Sequence, residues 1–280
     1  MKKQQYILLS SALAVFVLLF FFGKTTPDKK KDAVIAAYRP ASATLSTNDI
    51  LADARKKLSS AQQEKVTQLE NAVVRGDVKE QKIKIFTQLA NFWGDTIHQH
   101  QLSAYYLGES AKLENSEKNL TFAAHLMVDD LLAEDNPALQ NWLATNAKAL
   151  FESSLQLNPA NDSSKIGLGA CYMFGNISDN PMQGILAVRQ VVEKNPGNLY
   201  GQMMLGLGGI RSGQLDKAIE RFQIVVNKQP DNLEAILHLA ETYDRKGDKI
   251  NAVKWYRQAV ELISVPEAKK EIEDRIKALQ

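Results

Sequence analysis

Residues 233–264 read LEAILHLAETYDRKGDKINAVKWYRQAVELIS, and their spacing decides the fold. Ile236, Leu239, Ala240 and Tyr243 fall at helical spacing and make one apolar stripe. Gly247-Asp248 interrupts it, the glycine stopping one helix and the aspartate starting the next. Ala252, Tyr256 and Ala259 then resume the stripe at intervals of four and three. The segment therefore reads as two helices joined by a tight turn. Small Ala240 and Ala252 leave room for the two backbones to close, and Tyr256 is large enough to fill the space beyond them.

The pattern recurs upstream. Pro159, Pro196 and Pro230 each end an apolar-periodic helix, 37 and 34 residues apart. Ala147, Gly184, Ala218 and Ala252 are separated by 37, 34 and 34 residues, and so are the bulky Phe151, Val188, Phe222 and Tyr256. Leu168-Gly169, Leu205-Gly206 and Leu239-Ala240 follow the same intervals. The three extra residues of the unit Asp162–Pro196 fall in its turn, Gly175–Pro181, and Leu199–Pro230 departs at Gly209, where Tyr243 sits one unit later. These residues resemble the tetratricopeptide repeat, a helix–turn–helix of ~34 residues that stacks into solenoids. The strong match covers roughly 100 residues and a looser one reaches back to about residue 80. There, Phe86, Leu89, Ala90 and Trp93 pair with a helix around Ala104–Leu113, and Leu120–Leu132 with one around Leu139–Leu157.

The resemblance implies an all-α fold: a right-handed superhelix of helical hairpins with a carboxy-terminal capping helix. That helix is 265–280, with Ile272, Ile276 and Leu279 spaced four and three to shield the last repeat. Residues 159–264 are the repeats, 77–158 irregular hairpins and 48–76 an amino-terminal helical pair. Asn48 and Ser60 are the expected caps of that pair, Gly76 its end, and Asp77-Val-Lys-Glu80 the capped start of the next helix. No sustained alternation of β-branched residues marks a strand.

The resemblance also implies a concave surface lined by the first helix of each hairpin. Carried over position by position, its residues are Ser163, Ile166, Ala170 and Met173, then Tyr200, Met203, Leu207 and Ile210, then Glu234, Leu237, Glu241 and Asp244. The Lys, Arg and Asn clamp that some relatives use for a terminal carboxylate is missing from these positions. Two successive helices instead offer an apolar, methionine-containing face, followed by an acidic one. Methionine is flexible and polarizable, which suits varied apolar partners. The face is therefore read either as a partner site or as a surface buried by another part of the chain or a second copy.

Tyr6–Phe22 reads YILLSSALAVFVLLFFF and holds no charge. Gln4–Gly23 would be ~30 Å of helix, the thickness of a bilayer core. Residues 1–23 are thus expected to be a transmembrane helix. Phe21 occupies a position where signal peptidase needs a small residue, so the helix is expected to stay uncleaved. Residues 24–47, polar and with Pro27 and Pro40, read as a tether; within them AVIAAY (33–38) is apolar. Lys2 and Lys3 favour a cytoplasmic amino terminus, against Lys24 and Lys29–Lys31 on the other side. The expected placement is a bacterial inner membrane with the body in the periplasm.

The net charge of +2 hides an imbalance. Six of 34 basic and two of 32 acidic side chains lie in the first 32 residues, leaving 28 basic against 30 acidic beyond. No basic field remains to attract nucleic acid. Cys171 is the single cysteine and reads as a core thiol. GxxxxGK[ST], HExxH and CxxC patterns are missing, the glycines of Gly201–Ile210 do not follow a strand, and His98 with His100 would point apart on a helix. No catalytic, cofactor or metal site is expected. The expected role is a membrane-anchored adaptor that binds a protein or peptide partner, beside a translocon or in envelope protein folding or complex assembly. A homodimeric scaffold and a cytochrome c maturation component presenting a polypeptide are the alternatives.

If residues 6–22 are an uncleaved span, the mature protein begins at or next to Met1 and needs detergent for extraction. Amino-terminal sequencing that starts near Lys24, with a freely soluble product, overturns this.

Overall fold

The computed structural model describes residues 45–75, 78–178 and 180–280. The expected transmembrane segment 1–23, nearly all of the tether, AVIAAY, Gly76 and Asp77 lie outside the described residues. Among those described, every regular element is helical, and no helix is long and apolar enough to cross a membrane.

Thirteen α-helices follow one another among the described residues: α1 Thr47–Arg55, α2 Ser60–Arg75, α3 Lys79–Asn91, α4 His100–Glu114, α5 Glu117–Ala133, α6 Pro137–Leu157, α7 Asp162–Phe174, α8 Met182–Lys194, α9 Leu199–Arg211, α10 Leu215–Lys228, α11 Leu233–Lys246, α12 Lys249–Leu262 and α13 Pro266–Leu279. A π-helical turn, Phe92–Thr96, extends α3. The principal pairings are α3 with α4, α5 with α6, α7 with α8, α9 with α10 and α11 with α12.

Each repeat begins the same way. Asn161, Asn198 and Asn232 are the N-caps of α7, α9 and α11, each side chain accepting from the backbone N–H three residues on: Ser164, Gly201 and Ala235. They stand two residues after the three prolines, at the same intervals of 37 and 34. A cap of this kind is worth about 1 kcal/mol. The sequence reading used the prolines and passed over the asparagines.

Several expected starts move. The first helix is capped by Ser46 rather than Asn48: Ser46 Oγ accepts from the Asp49 N–H, and Asp49 reaches back to the Ser46 N–H at 3.0 Å. The first helix therefore starts at Thr47, one residue ahead of the expected helical pair. The cap of α2 is Ser59, not Ser60; Gln62 Oε1 accepts from the Ser59 N–H at 2.8 Å in return. The described flank of α3 is Val78, which makes no side-chain cap. His98 does not lie on a helix at all. It sits at φ 58°, between the π turn and α4.

Small residues set the spacing within hairpins. A Cβ at Gly169 would lie 2.9 Å from the Gly184 carbonyl, so α7 and α8 meet backbone to backbone. A Cβ at Gly209 would lie 3.1 Å from Ala218 Cβ, so α9 and α10 are nearly as close. Phe151 and Phe222 are fully buried where the register places bulky residues. Truncating either to alanine would cost about 3–5 kcal/mol. Between α5, α6 and α7, the hydroxyls of Thr121, Ser154 and Ser164 form a closed triangle with sides of 2.8–2.9 Å, so the buried polar atoms are satisfied.

The ends and the insertion are tied down separately. Ile272, Ile276 and Leu279 of α13 pack on Ala240, Ala252 and Tyr256, and Arg275 pairs with Asp244 at 2.6 Å. At the other end, Trp142 Nε1 donates to Thr47 Oγ1 at 3.0 Å, joining α1 to α6. In the insertion, Asn176 (φ 52°) accepts from Asn141 through its carbonyl, donates to Gln140, and accepts from Arg211 through its side chain. It thereby pins the turn to α6 and to α9. Cys171 is buried, and burial pushes its thiol up to about 12.

Ala218→Leu should overpack the α9–α10 contact and destabilise by about 1–3 kcal/mol. Lys217→Leu, exposed one residue away, should stay within ~0.5 kcal/mol. Equal melting temperatures for Ala218→Leu and wild type would contradict this register.

Candidate concave binding face

Direct contacts link α5 with α7 and α7 with α9. The first helices of successive hairpins thus pack side by side. The curvature is tight enough for side chains to meet across two hairpins. His125 of α5 lies 2.7 Å from Ser163 Oγ of α7, and its ring meets Tyr200 of α9 edge-on at 5.0 Å. Burial holds the His125 imidazole down at about 4, so it is neutral at pH 7.

The expected apolar residues divide into two groups. Ile166 and Ala170 are fully buried, Met173 is 4% exposed and Met203 is 6% exposed. They are core rather than an open binding surface. Glycines on adjacent helices explain part of this. A Cβ at Gly201 would lie 3.3 Å from Ile166 Cδ1, and one at Gly208 would lie 2.5 Å from Met173 Cε. With no side chains at 201 and 208, α9 settles directly onto α7 and covers Ile166 and Met173, which is the buried one of the two alternatives for this face. Tyr200, Leu207, Ile210, Leu237 and Glu241 are only partly buried, and Glu234 is exposed.

The accessible part of the face is more acidic than apolar. Burial, then the charge of Glu234, raises the Asp129 carboxyl above its ordinary range, which places α5 and α11 within electrostatic reach. Tyr200 stands near both carboxylates. Its hydroxyl is buried without a hydrogen-bond partner, and burial followed by Asp129 raises its pKa. Glu241 lies 3.6 Å from His238 Nδ1, and the histidine holds its carboxyl below the ordinary range. Asp244 is already taken by Arg275. Among the described residues, Asp129 has no cationic partner within 4.0 Å, and Glu234 approaches only His238, at 3.9 Å.

The sequence reading missed α5. Phe122, 56% exposed, and Asp129 stand seven residues apart on the stripe that carries His125, so all three belong to this face. In the sequence, only the spacing of Phe122, His125 and Asp129 on one helical stripe signals this, because exposure is not encoded there. No cluster of three or more His, Cys, Asp or Glu side chains suited to a metal occurs among the described residues.

The family model described as Tetratricopeptide repeat matches residues 233–265. Among solved structures, the chain is similar to TTC0263, a thermophilic TPR protein in Thermus thermophilus, at 15% identity over 72% of this chain and 98% of that one, with a TM-score of 0.51. It is also similar to YrrB, titled a TPR protein with an unusual peptide-binding site, at 15% identity, covering 74% and 97% of the two chains, TM-score 0.42. MamA from Desulfovibrio magneticus RS-1 shares 22% identity over 67% and 96%, TM-score 0.43. The hairpin at 233–265 matches the tetratricopeptide repeat, and the helical array of the described residues shares the fold of the repeat protein TTC0263.

Proposed function

We propose that the chain is a membrane-anchored adaptor of the bacterial cell envelope that holds a segment of another protein on its concave face. One observation carries the binding half of this reading. Asp129, Tyr200 and Glu234, from three hairpins, lie within reach of one another's charge; among the described residues Asp129 has no cationic partner within 4.0 Å, Glu234 approaches only His238, and the tyrosine hydroxyl has no hydrogen-bond partner. Like charges held in a partly buried site repel, and each buried polar atom left unpaired costs about 1–3 kcal/mol. A lysine or arginine from a partner, placed between Asp129 and Glu234, would relieve the repulsion and donate to Tyr200. Phe122, Leu207 and Leu237 offer apolar contact on either side. The preferred occupant is therefore an extended peptide with a basic side chain beside apolar ones.

The anchoring half rests on the uncharged stretch 6–22 and the lysines around it. A body tethered to the periplasmic side of an inner membrane would hold its client close to the membrane surface, where export, folding and complex assembly take place. Nothing in the residue pattern supports a catalytic role, and the reading assigns none.

The test is crosslinking in cells with the full-length chain, detergent extraction and identification of recovered partners. Asp129→Lys with Glu234→Lys should lower recovery of the principal partner at least ~10-fold, the loss of one charge-assisted contact. Melting temperature should stay near wild type, because both side chains lie at the surface of the groove. Glu261→Lys, exposed on α12, should change nothing. Undiminished recovery by the double variant would move the binding surface elsewhere, and recovery of the chain alone would favour a homo-oligomeric scaffold.

A further inference from the structure

The departure at Gly209 has a counterpart across the next helix. In the last repeat, Tyr243 of α11 bridges to α10, where Gln223 Nε2 donates to its hydroxyl at 3.0 Å. Moved back by the 34-residue interval, Tyr243 becomes Gly209 and Gln223 becomes Arg189. No ring crosses from α9 to α8, and a space stays open where the ends of α7 and α9 meet the starts of α8 and α10, beside the intra-hairpin turns. A cleft of about 60 Å³ there is lined by Met173, Ile185 and Leu205 with Arg189, Lys217 and Arg221. It shares Met173, Ile185, Gly208 and Ser212 with a larger apolar pocket of about 240 Å³ that reaches Pro181 in the inserted turn and Arg211. Met182 and Leu186, one turn apart on α8, remain exposed beside it.

The charged side chains lining this cleft are all basic among the described residues, and no carboxylate lines either part. Among the described residues the four cations make polar contacts only with neutral acceptors or with none: Arg221 with Gln202 Oε1 at 2.9 Å, Lys217 with Gln214 Oε1 at 2.7 Å, Arg211 with the Phe174 carbonyl and Asn176 Oδ1 at 3.0 Å, and Arg189 with none. We propose that the cleft docks an acidic peptide segment of a partner protein, one aromatic side chain entering between α8 and α10 while neighbouring carboxylates pair with Arg189 and Lys217. The aromatic ring supplies what Gly209 omits, and the acidic flanks supply the charge that the rim lacks. The concave face, lined by Asp129, Glu234 and Glu241, repels the same peptide, so the two faces select partners of opposite charge.

Fluorescence anisotropy of the full-length chain in detergent, with a labelled Gly-Ser-Glu-Asp-Tyr-Asp-Glu-Gly-Ser peptide, tests this. Binding at ~10–100 μM is expected, weakening at least ~10-fold for Arg189→Glu with Lys217→Glu, and equally when the peptide's tyrosine becomes glycine. Both substituted side chains are exposed, so the melting temperature should not move. If the reversal does unfold the chain, Arg189→Gln with Lys217→Gln is measured instead, with weaker binding again expected. Asp129→Lys with Glu234→Lys should leave this affinity unchanged, which separates the cleft from the concave face. Four results overturn the proposal: no binding up to ~1 mM; affinity within ~2-fold of wild type in the folded cleft variants; equal affinity for the peptide without tyrosine; or wild-type dimers, seen by sedimentation velocity, that the charge reversal dissociates, which would seat a second copy in the cleft.

Discussion

Everything in the repeat array depends on two helix backbones being allowed to touch. At Gly169 and Gly184 no Cβ intervenes, and at Gly209 and Ala218 only one methyl does. That approach fixes the angle of each hairpin, brings Phe151 and Phe222 into closed pockets, and places the first helix of one unit against the first helix of the next. A bulkier side chain at any of these points would spread one hairpin and tilt every unit beyond it, because a solenoid transmits geometry only through neighbours. The asparagine caps after each proline work to the same end from outside. They start α7, α9 and α11 at equivalent residues, so the small contacts fall into register.

How far the sequence could be read follows from where each property is encoded. Hairpin position is encoded locally, by prolines, small residues and bulky residues at fixed intervals, so the pairs α7–α8, α9–α10 and α11–α12 were legible. So were the helices before residue 160, though their caps were not. Ser46 and Ser59 each stand next to or near a residue equally able to cap, and only the reciprocal bonds with Asp49 and Gln62 distinguish them. Exposure is different, because it depends on the helix opposite. Ile166, Ala170, Met173 and Met203 were placed on the inner face of the array, yet they are buried. For Ile166 and Met173 the cause lies on α9, where Gly201 and Gly208 let that helix close over them. Their own positions in α7 carry no trace of this.

The same glycine-rich helix explains both candidate faces. On the inside, α9 lies so close to α7 that the apolar positions become core, and the groups left accessible there are the polar ones around Tyr200. Beside the turn after it, Gly209 contributes no ring, so the gap beside α8 and α10 remains. One helix thus sets a closed apolar inner layer, an acidic rim around Tyr200 and a cationic cleft beside the intra-hairpin turns. Two regions of opposite charge on one array would bias encounter as well as affinity, since charged segments are steered before they dock.

The bonds of Asn176 have a mechanical consequence. Hairpins coupled only to their neighbours behave as a chain of hinges, each free to bend a little. Asn176 reaches from the turn after α7 to Asn141 and Gln140 on α6 and to Arg211 on α9, so one side chain and one carbonyl span three successive units. That strut removes a degree of freedom from the middle of the array. Bending is left to the joints on either side, and the curvature around Tyr200 keeps its shape when the ends flex.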